Sequence, residues 1–348
     1  MSTKPFITFV VILSFVIPTL SVEGAQNSSD LSRAVSWLID QQQDDGGFSN
    51  GFAPESDVGA TADAILALVF AGEDPLQVKN GVMSPIDFLE EHILSGDVLG
   101  SGVAAKIVLA LNGAGLDPQS LAGHDLVDTV QDGYDASIGL FGFGPFDSAL
   151  AISALMAVGV DLPEGAIRGL LSTRLDDGSF SFSAESGQIT GDSNTTALVV
   201  QALISAGVED AIGPSLSYFR ATQNEDWGWT YQKPSEFGEE TDTNSTALVI
   251  QALNAAGETL EEWGDPIKAL ASLQQDDGAF GFSATFPDAN ILATIQAIPT
   301  LAGGTYVEPV APSTAQKMSL PSIVIATSVL IFLILTGAYI GVRSRRQE

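Results

Sequence analysis

A sixteen-residue pattern of apolar and polar positions recurs along the chain. It reads DSNTTALVVQALISAG at residues 192–207 and DTNSTALVIQALNAAG at residues 242–257. Apolar residues three and four positions apart are typical of a helix, and here they cover most of its circumference, which indicates burial on most sides. An aspartate at the start and a glycine at the end are residues that begin and end helices. The pattern therefore predicts a helix of roughly 13 residues, about 20 Å long.

The closing pair of the pattern, Ala-Gly or Val-Gly, occurs at six places. Counting back fifteen residues from each glycine gives the predicted helix starts Asp57, Gly100, Gly144, Asp192, Asp242 and Asp288. A first helix precedes each of these and ends in an Asp/Gly turn that carries an aromatic residue in all copies but the second, as in LASLQQDDGAF at 270–280. The six helix–turn–helix units span about 34–75, 85–118, 126–163, 166–210, 215–266 and 267–304.

Six units with well-matched ends favour a closed ring over an open stack. An open array of repeats needs atypical, polar capping repeats at both ends. Here the first and last units are among the best copies of the pattern. We therefore predict an all-α fold, an (α/α)6 toroid over residues 25–304. The more apolar second helices should form an inner barrel, and the first helices an outer ring.

Segments at both ends of the chain predict a membrane protein. Residues 1–24 have the features of a secretory signal peptide, with Lys4 ahead of a nearly continuous apolar run. Residues 323–342 contain no charge over 20 positions, which is the length of a transmembrane helix. Three arginines in the tail at 343–348 predict that the tail is cytoplasmic. With residues 305–322 as a linker, the toroid is predicted to lie outside the cytoplasm on a single-pass anchor in the cell membrane.

Composition excludes several kinds of site. The formal net charge of −30 repels nucleic acid, so no nucleic-acid partner is predicted. Because there is no cysteine, thiolate metal sites and thiol nucleophiles are excluded. Two histidines are too few for a histidine-based zinc site. The Asp-Asp-Gly turns lack the alternating acids of a calcium loop, so we predict a turn role for them and neither metal nor cofactor.

The turn pattern Gln-x3-Gly-x-aromatic, as in QQDDGAF at 274–280, resembles a known repeat. It is similar to the QW-type, or prenyltransferase/squalene oxidase, repeat of the terpenoid cyclase and protein prenyltransferase superfamily. The resemblance covers about 30–304 and implies the toroid fold. Protein prenyltransferases hold zinc with Asp, Cys and His, a ligand set that a chain without cysteine lacks.

The same resemblance implies where an acid would lie. In class II terpenoid cyclases an Asp-x-Asp-Asp-Thr-Ala segment begins an inner helix, and its middle aspartate donates the proton. The matching segments here begin at Asp192 and Asp242 and carry Asn194 and Asn244 in place of that acid. An amide has no proton to donate near neutral pH. No catalytic residue is therefore predicted, and the chain is not expected to be an enzyme of this type.

Parallel inner helices should bring their starts together at one mouth of the barrel. The predicted ligand-binding residues there are Asp57, Asp192, Asn194, Asp242, Asn244, Asp288 and Asn290. For the aspartates, helix capping without a ligand is the simpler role. Bulky aromatic residues in the longest turn predict an aromatic rim formed by Trp227, Trp229 and Tyr231.

Three functions are compatible with these features. The leading hypothesis is a non-catalytic module that binds a small molecule, a glycan or a protein partner at the mouth. One alternative is a divergent cyclase-like or glycan-active enzyme that uses mouth carboxylates. Another is a cobalamin-carrier-like protein, because TALVVQAL at 196–203 is similar to the inner helices of those carriers.

Overall fold

The computed structural model describes residues 22–98, 100–183, 190–235 and 238–306, and these ranges are mostly helical. The outer helices are α1 (Val22–Asp40), α3 (Pro85–Ser95), α5 (Leu126–Asp132), α7 (Ala166–Ser172), α9 (Gly213–Thr222) and α11 (Pro266–Ala271). The inner helices are α2 (Val58–Phe70), α4 (Ser101–Gly113), α6 (Pro145–Ala157), α8 (Ser193–Ser205), α10 (Thr243–Ala255) and α12 (Ile291–Leu301).

Short strands and 3₁₀ turns join the α-helices. Strands β1 (Tyr134–Asp135) and β2 (Leu140–Phe141) form one antiparallel pair, and β3 (Phe280–Gly281) and β4 (Ala289–Asn290) form another. Three 3₁₀ turns lie at Leu121–Gly123, Glu209–Ala211 and Leu260–Trp263.

The inner helices form a closed ring, as the sequence predicts. Each inner helix contacts the next one in chain order, and α12 contacts α2. The join between the last and first units is also hydrogen-bonded. The Arg33 guanidinium of α1 donates to Gln274 Oε1 at 2.7 Å, and Gln274 Nε2 donates to the Asp30 carbonyl at 2.8 Å. In an open arc the first and last units would lie apart, and these hydrogen bonds could not form.

The hydrophobic core lies in and around the inner barrel. In α8, for example, ten of the 13 residues are buried, and α10 has the same burial pattern. The outer helices bury mainly one side, as α9 does with Ser215, Tyr218, Phe219 and Thr222. The nearly uniform apolar character of the inner-helix sequences thus reflects neighbours on most sides.

The threonine four residues after the cap of an inner helix anchors the preceding turn. Its hydroxyl accepts from the backbone N–H of the turn aromatic, at 2.9–3.0 Å in four units. The pairs are Phe48 with Thr61, Phe180 with Thr196, Trp229 with Thr246, and Phe280 with Thr294. All four aromatic residues are fully buried. The Thr-Ala framework of the repeat therefore has a structural role, because it satisfies a buried donor.

Replacing Thr246 with valine is expected to lower the free energy of unfolding by about 1–3 kcal/mol, because the buried Trp229 N–H loses its acceptor. Urea denaturation followed by tryptophan fluorescence measures the change. Thr246→Ser is the matched control, since it keeps the hydroxyl. If serine and valine cost the same, the hydrogen bond has no role and the methyl group is what matters.

A polar group and the end of the described chain lie inside the barrel. Lys106 Nζ of α4 is 2.6 Å from Asp63 Oδ2 of α2, and the Asp63 side chain is buried. After α12, Gly304 lies against Phe70 of α2, and the Tyr306 N–H donates to Gln201 Oε1 of α8 at 2.8 Å. Since α2 and α8 are opposite each other in the ring, residues 304–306 cross the barrel axis at the end where the inner helices finish.

The predicted terminal segments fall almost wholly outside the described residues. These segments are the signal peptide, of which residues 1–21 are not described, and the linker, membrane span and tail beyond residue 306. Helix α1 begins at Val22 and so includes the last three residues of the predicted signal. In the described part of the chain, none of the helices combines the length and apolar character needed to cross a bilayer.

Candidate functional site

The aspartates at the starts of three inner helices are N-caps. The side chain of Asp57 accepts from Ala60 N at 2.8 Å, that of Asp192 from Thr195 N at 2.7 Å, and that of Asp242 from Ser245 N at 2.7 Å. Each therefore satisfies a free donor of the first helical turn, which is worth about 1 kcal/mol. The capping role expected for these residues is confirmed.

Asp288 is not the cap of the sixth inner helix, so this prediction is wrong. Helix α12 begins at Ile291, and Asn290 caps it by accepting from Ala293 N at 2.9 Å. Asp288 is exposed in the preceding loop. The fixed count of fifteen residues fails because β4 pairs with β3 just before the helix and keeps the backbone extended for two more residues.

One cavity of about 430 Å³ lies where α8, α10 and α12 begin. It brings together four of the predicted site residues, Asn194, Asp242, Asn244 and Asn290. Among the described residues that line it, Asp57, Asp192 and Asp288 are not present. The cavity therefore lies over the starts of three neighbouring inner helices. We name it the mouth cavity.

Aromatic side chains form much of the remaining wall. The mouth cavity is lined by Tyr231 and Phe282, and by Phe286 and Phe52, whose side chains are 63% and 91% exposed. Phe52 belongs to the first unit. It reaches the cavity because the loop that carries it lies against α12, with Gly51 beside Ile291. Asp57 supports this loop indirectly, since its carboxylate accepts from Asn50 Nδ2 at 3.4 Å.

Two of the three predicted rim residues lie elsewhere, which corrects the predicted rim. Trp229 is fully buried, and its Nε1 donates to the Phe219 carbonyl at 2.8 Å. The ring of Trp227 lies directly against Gly264, away from the mouth cavity. Only Tyr231 of the three lines the cavity within the described chain.

The error at Trp227 has an identifiable cause in the turn geometry. With φ of +76°, Trp227 occupies the position that a glycine with positive φ occupies in other units, as Gly278 does. The Gln223 side chain donates to the Trp227 carbonyl just as the Gln274 side chain does to Gly278. The correct pair of turn aromatics is therefore a buried Trp229 followed by an exposed Tyr231.

The carboxyl groups near the cavity have opposite pKa shifts. Burial raises the pKa of Asp242 to about 6, although hydrogen bonds from Ser245 oppose the shift. Burial likewise raises the pKa of Asp192 to about 6. Glu240, which lines the same cavity, has a pKa below its ordinary value because the Ser283 and Thr285 side chains donate to it.

One amide in the cavity has an unsatisfied atom. The Oδ1 atom of Asn194 is buried and has no hydrogen-bond partner in the described structure. Buried acceptors without partners are rare, because leaving one unpaired costs about 1–3 kcal/mol. A ligand that donates a hydrogen bond would remove that cost.

The described residues do not form a cluster of side chains that could bind a metal ion. In the described ranges no group of three or more His, Asp or Glu side chains could hold an ion. The Asp-Asp-Gly turns are held by their own aspartates: Asp45 Oδ1 accepts from Gly47 N, and Asp277 Oδ1 accepts from Ala279 N. The turn role predicted for them is confirmed.

Sequence reasoning missed Glu240, Phe52, Phe282 and Phe286 as lining residues. Phe282 had a signal, because it follows a buried aromatic at the alternate position, as Tyr231 does. Glu240 and Phe52 lie in loops outside the repeat pattern. Their place in the cavity depends on which loops meet above the barrel.

Several solved structures have folds similar to that of this chain. An unsaturated glucuronyl hydrolase specific for heparin has a TM-score of 0.61 at 10% identity, covering 80% of this chain and 96% of that chain. The type II terpene cyclase MstE from Scytonema has a TM-score of 0.57 at 14% identity, covering 80% and 98%. Haptocorrin in complex with Cbi has a TM-score of 0.54 at 15% identity, covering 84% and 69%.

The chain has an α/α-toroid fold. At these identities the likeness shows the fold alone, and the predicted toroid is confirmed to that extent. No protein-family model matches the chain, and no curated protein sequence matches it. The resemblance to prenyltransferase/squalene oxidase repeats therefore remains a prediction beyond the shared toroid.

Proposed function

We propose that the chain is a binding protein that holds a hydroxyl-rich ligand, a glycan, in the mouth cavity without converting it. The observation that carries the proposal is the convergence of side-chain amides from three successive inner helices with aromatic faces on one cavity. Binding sites of this kind combine apolar and aromatic walls with a few placed polar groups. Asn194 Oδ1 supplies an acceptor that a ligand hydroxyl would satisfy.

The hydrogen bonds of Asp242 favour ligand binding over catalytic turnover. Both oxygens of Asp242 already accept hydrogen bonds, from Ser245 N at 2.7 Å and Ser245 Oγ at 2.8 Å. The residue is only 3% exposed. A general acid must reach the atom that it protonates, and a cap held in this way reaches a ligand poorly.

The sequence extends the proposal to the location of the protein. The uncharged segment at 323–342 and the signal-like residues 1–24 support a membrane-anchored protein with its toroid outside the cytoplasm. The membrane is then a partner through the C-terminal helix. A protease-protection assay on membrane vesicles tests this topology, since the toroid and the tail should be cleaved from opposite sides.

A glycan-active enzyme is the second candidate, because one observation favours it. Asp242, with its pKa raised to about 6, and an ionised Glu240 line the same cavity, and two carboxyl groups with separated pKa values are typical of an acid and a base. Incubating the full-length protein with an N-acetylglucosamine tetramer and weighing the products by mass spectrometry distinguishes the two. Shorter products that disappear with Asp242→Asn would establish the enzyme instead.

The corrinoid alternative has weaker support. It draws on the fold likeness to haptocorrin and on the similarity of one inner helix, neither of which identifies a ligand-contacting residue here. Incubation of the purified protein with cobalamin, followed by gel filtration, tests it, because a bound corrinoid colours the protein fraction.

Replacing Asn194 with alanine is expected to weaken glycan binding about five-fold while leaving stability unchanged or raising it by about 1 kcal/mol. The affinity falls because a ligand hydroxyl loses its acceptor, and the stability rises because a buried unpaired atom is removed. Calorimetric titration with the N-acetylglucosamine tetramer and urea denaturation measure the two effects.

A matched control for this test is Asn254→Ala. It removes the same kind of side chain near the C-terminal end of the neighbouring helix α10, which is the end away from the mouth cavity. It should leave tetramer affinity as in the wild type. Loss of affinity in both variants, or in neither, would contradict the placement of the ligand in the mouth cavity.

A further inference from the structure

We infer that the ligand in the mouth cavity carries a protonated amine, and that Glu240 is the residue that selects it. This inference rests on the proposed function and narrows its ligand class to amino sugars. It is argued from the position of Glu240, the charge balance of the cavity and the aromatic side chains around it.

Glu240 is fixed in place by the neighbouring unit. Ser283 Oγ donates to its Oε1 at 2.6 Å, and Thr285 Oγ1 donates to its Oε2 at 2.8 Å. These two bonds hold the carboxylate at the wall of the mouth cavity although the side chain is exposed. They also keep its pKa low, so the group stays ionised at neutral pH. A ligand therefore meets a negative charge that is positioned before it binds.

No positive charge among the described lining residues balances this carboxylate. None of the described residues that line it is Lys, Arg or His, and Asp242 adds a second acid. The basic residue closest to Glu240 along the sequence, Lys233, donates to Asn224 Oδ1 at 2.8 Å and does not line the cavity. Since the whole chain also has a formal charge of −30, the potential in the cavity favours cations and repels anions.

Aromatic side chains in the same cavity add to the attraction for a cation. Tyr231, Phe282 and Phe286 line the same cavity and are all partly exposed. The face of an aromatic ring attracts an ammonium group, and its flat surface also suits a sugar ring. A protonated amino sugar uses both properties together.

The same charge balance disfavours uronic acids. A sugar carboxylate brought beside Glu240 would place like charges together with no basic side chain among the described lining residues to relieve them. The fold is shared with an unsaturated glucuronyl hydrolase specific for heparin. The fold alone therefore does not select an amine over an acidic sugar, and the selection is argued from the lining residues of this chain.

Two tetramers that differ in one chemical group test the inference. The probes are the β-1,4-linked glucosamine tetramer, whose amines are protonated at pH 6, and its fully N-acetylated form. We expect the full-length protein to bind the amine form about five-fold more tightly at low ionic strength, as an exposed ion pair worth up to about 1 kcal/mol allows. The preference should shrink in 1 M salt, where charges are screened beyond about 3 Å.

Glu240→Gln is expected to reduce the amine-to-acetyl affinity ratio to about one, because the amide can still bond to Ser283 and Thr285 but has no charge. A residue that only held the loop would lower both affinities together and leave the ratio unchanged. Glu239→Gln is the matched control, since Glu239 is adjacent, exposed and outside the cavity lining. It should keep the wild-type ratio.

The outcomes separate this inference from the proposal beneath it. If the wild type binds both tetramers equally, or if Glu240→Gln keeps the preference, the inference is wrong and glycan binding still stands. A uronate tetramer serves as a third probe. If none of the three tetramers binds, the proposed function fails and the amine preference fails with it. Tighter binding of a uronate tetramer than of the amine form would also overturn the role of Glu240.

Discussion

Replacing Lys106 with methionine is expected to lower the free energy of unfolding by about 3–5 kcal/mol. Its Nζ lies 2.6 Å from Asp63 Oδ2, and the Asp63 side chain is only 7% exposed. Without the ammonium group the carboxylate would remain buried with its main partner gone. The loss should be smallest at low pH, because burial already raises the pKa of Asp63 and Lys106 opposes that shift. Urea denaturation at pH 5 and pH 8 measures both effects.

The chain offers a matched control for this variant. Lys79 Nζ is 4.0 Å from Asp87 Oδ2, and both side chains are more than 40% exposed. Lys79→Met should therefore cost less than about 1 kcal/mol. The double variant Asp63→Asn with Lys106→Met should recover part of the loss, since neither side chain then carries a charge. Equal costs for the two lysine variants would show that the ion pair inside the barrel is as solvated as the surface pair.

This ion pair illustrates what periodicity does not predict. Asp63 and Lys106 lie within mostly apolar sequences, and they pair only because α2 and α4 are neighbours in the ring. The positions of the inner helices were predictable, since a cap, an apolar run and a closing glycine are all local signals. Which side chains face each other across the ring depends on packing.

The lining residues of the candidate site were likewise predicted only in part. Asn194, Asp242 and Asn244 were found because they belong to the repeated phrase and lie at a helix start. Glu240 and Phe52 were not found, because the loops that carry them differ in length and sequence between units. Trp229 was misplaced because its turn departs from the pattern at one position, where Trp227 replaces a glycine.

The capping aspartates give the largest expected dependence of stability on pH. Burial raises the folded-state pKa of Asp192 and of Asp242 from an ordinary value of 3.8 to about 6. The folded protein therefore holds protons there that the unfolded chain releases between about pH 4 and pH 6. By linkage, stability increases as the pH falls through this window, and each residue contributes up to about 3 kcal/mol. Above pH 6 both carboxylates are ionised and that contribution is lost.

Asparagine at both positions is expected to remove this dependence. It caps helices as well as aspartate does, and Asn290 already caps α12 in this way. The variant with Asp192→Asn and Asp242→Asn should be more stable than the wild type by several kcal/mol at pH 8 and should match it near pH 4. Urea denaturation across pH 4–8 measures the difference between the two curves.

The net charge of the protein does not affect the comparison between the wild type and the double variant. A chain with a formal charge of −30 becomes less self-repelling at low pH whichever residues occupy the caps, so that effect is nearly the same in both proteins. Asp57→Asn is a control for the cap itself, because Asp57 caps α2 with the same geometry but is partly exposed. If the double variant keeps the wild-type slope between pH 4 and 6, the buried caps are not desolvated, and Asp242 has no raised pKa with which a catalytic role could be argued.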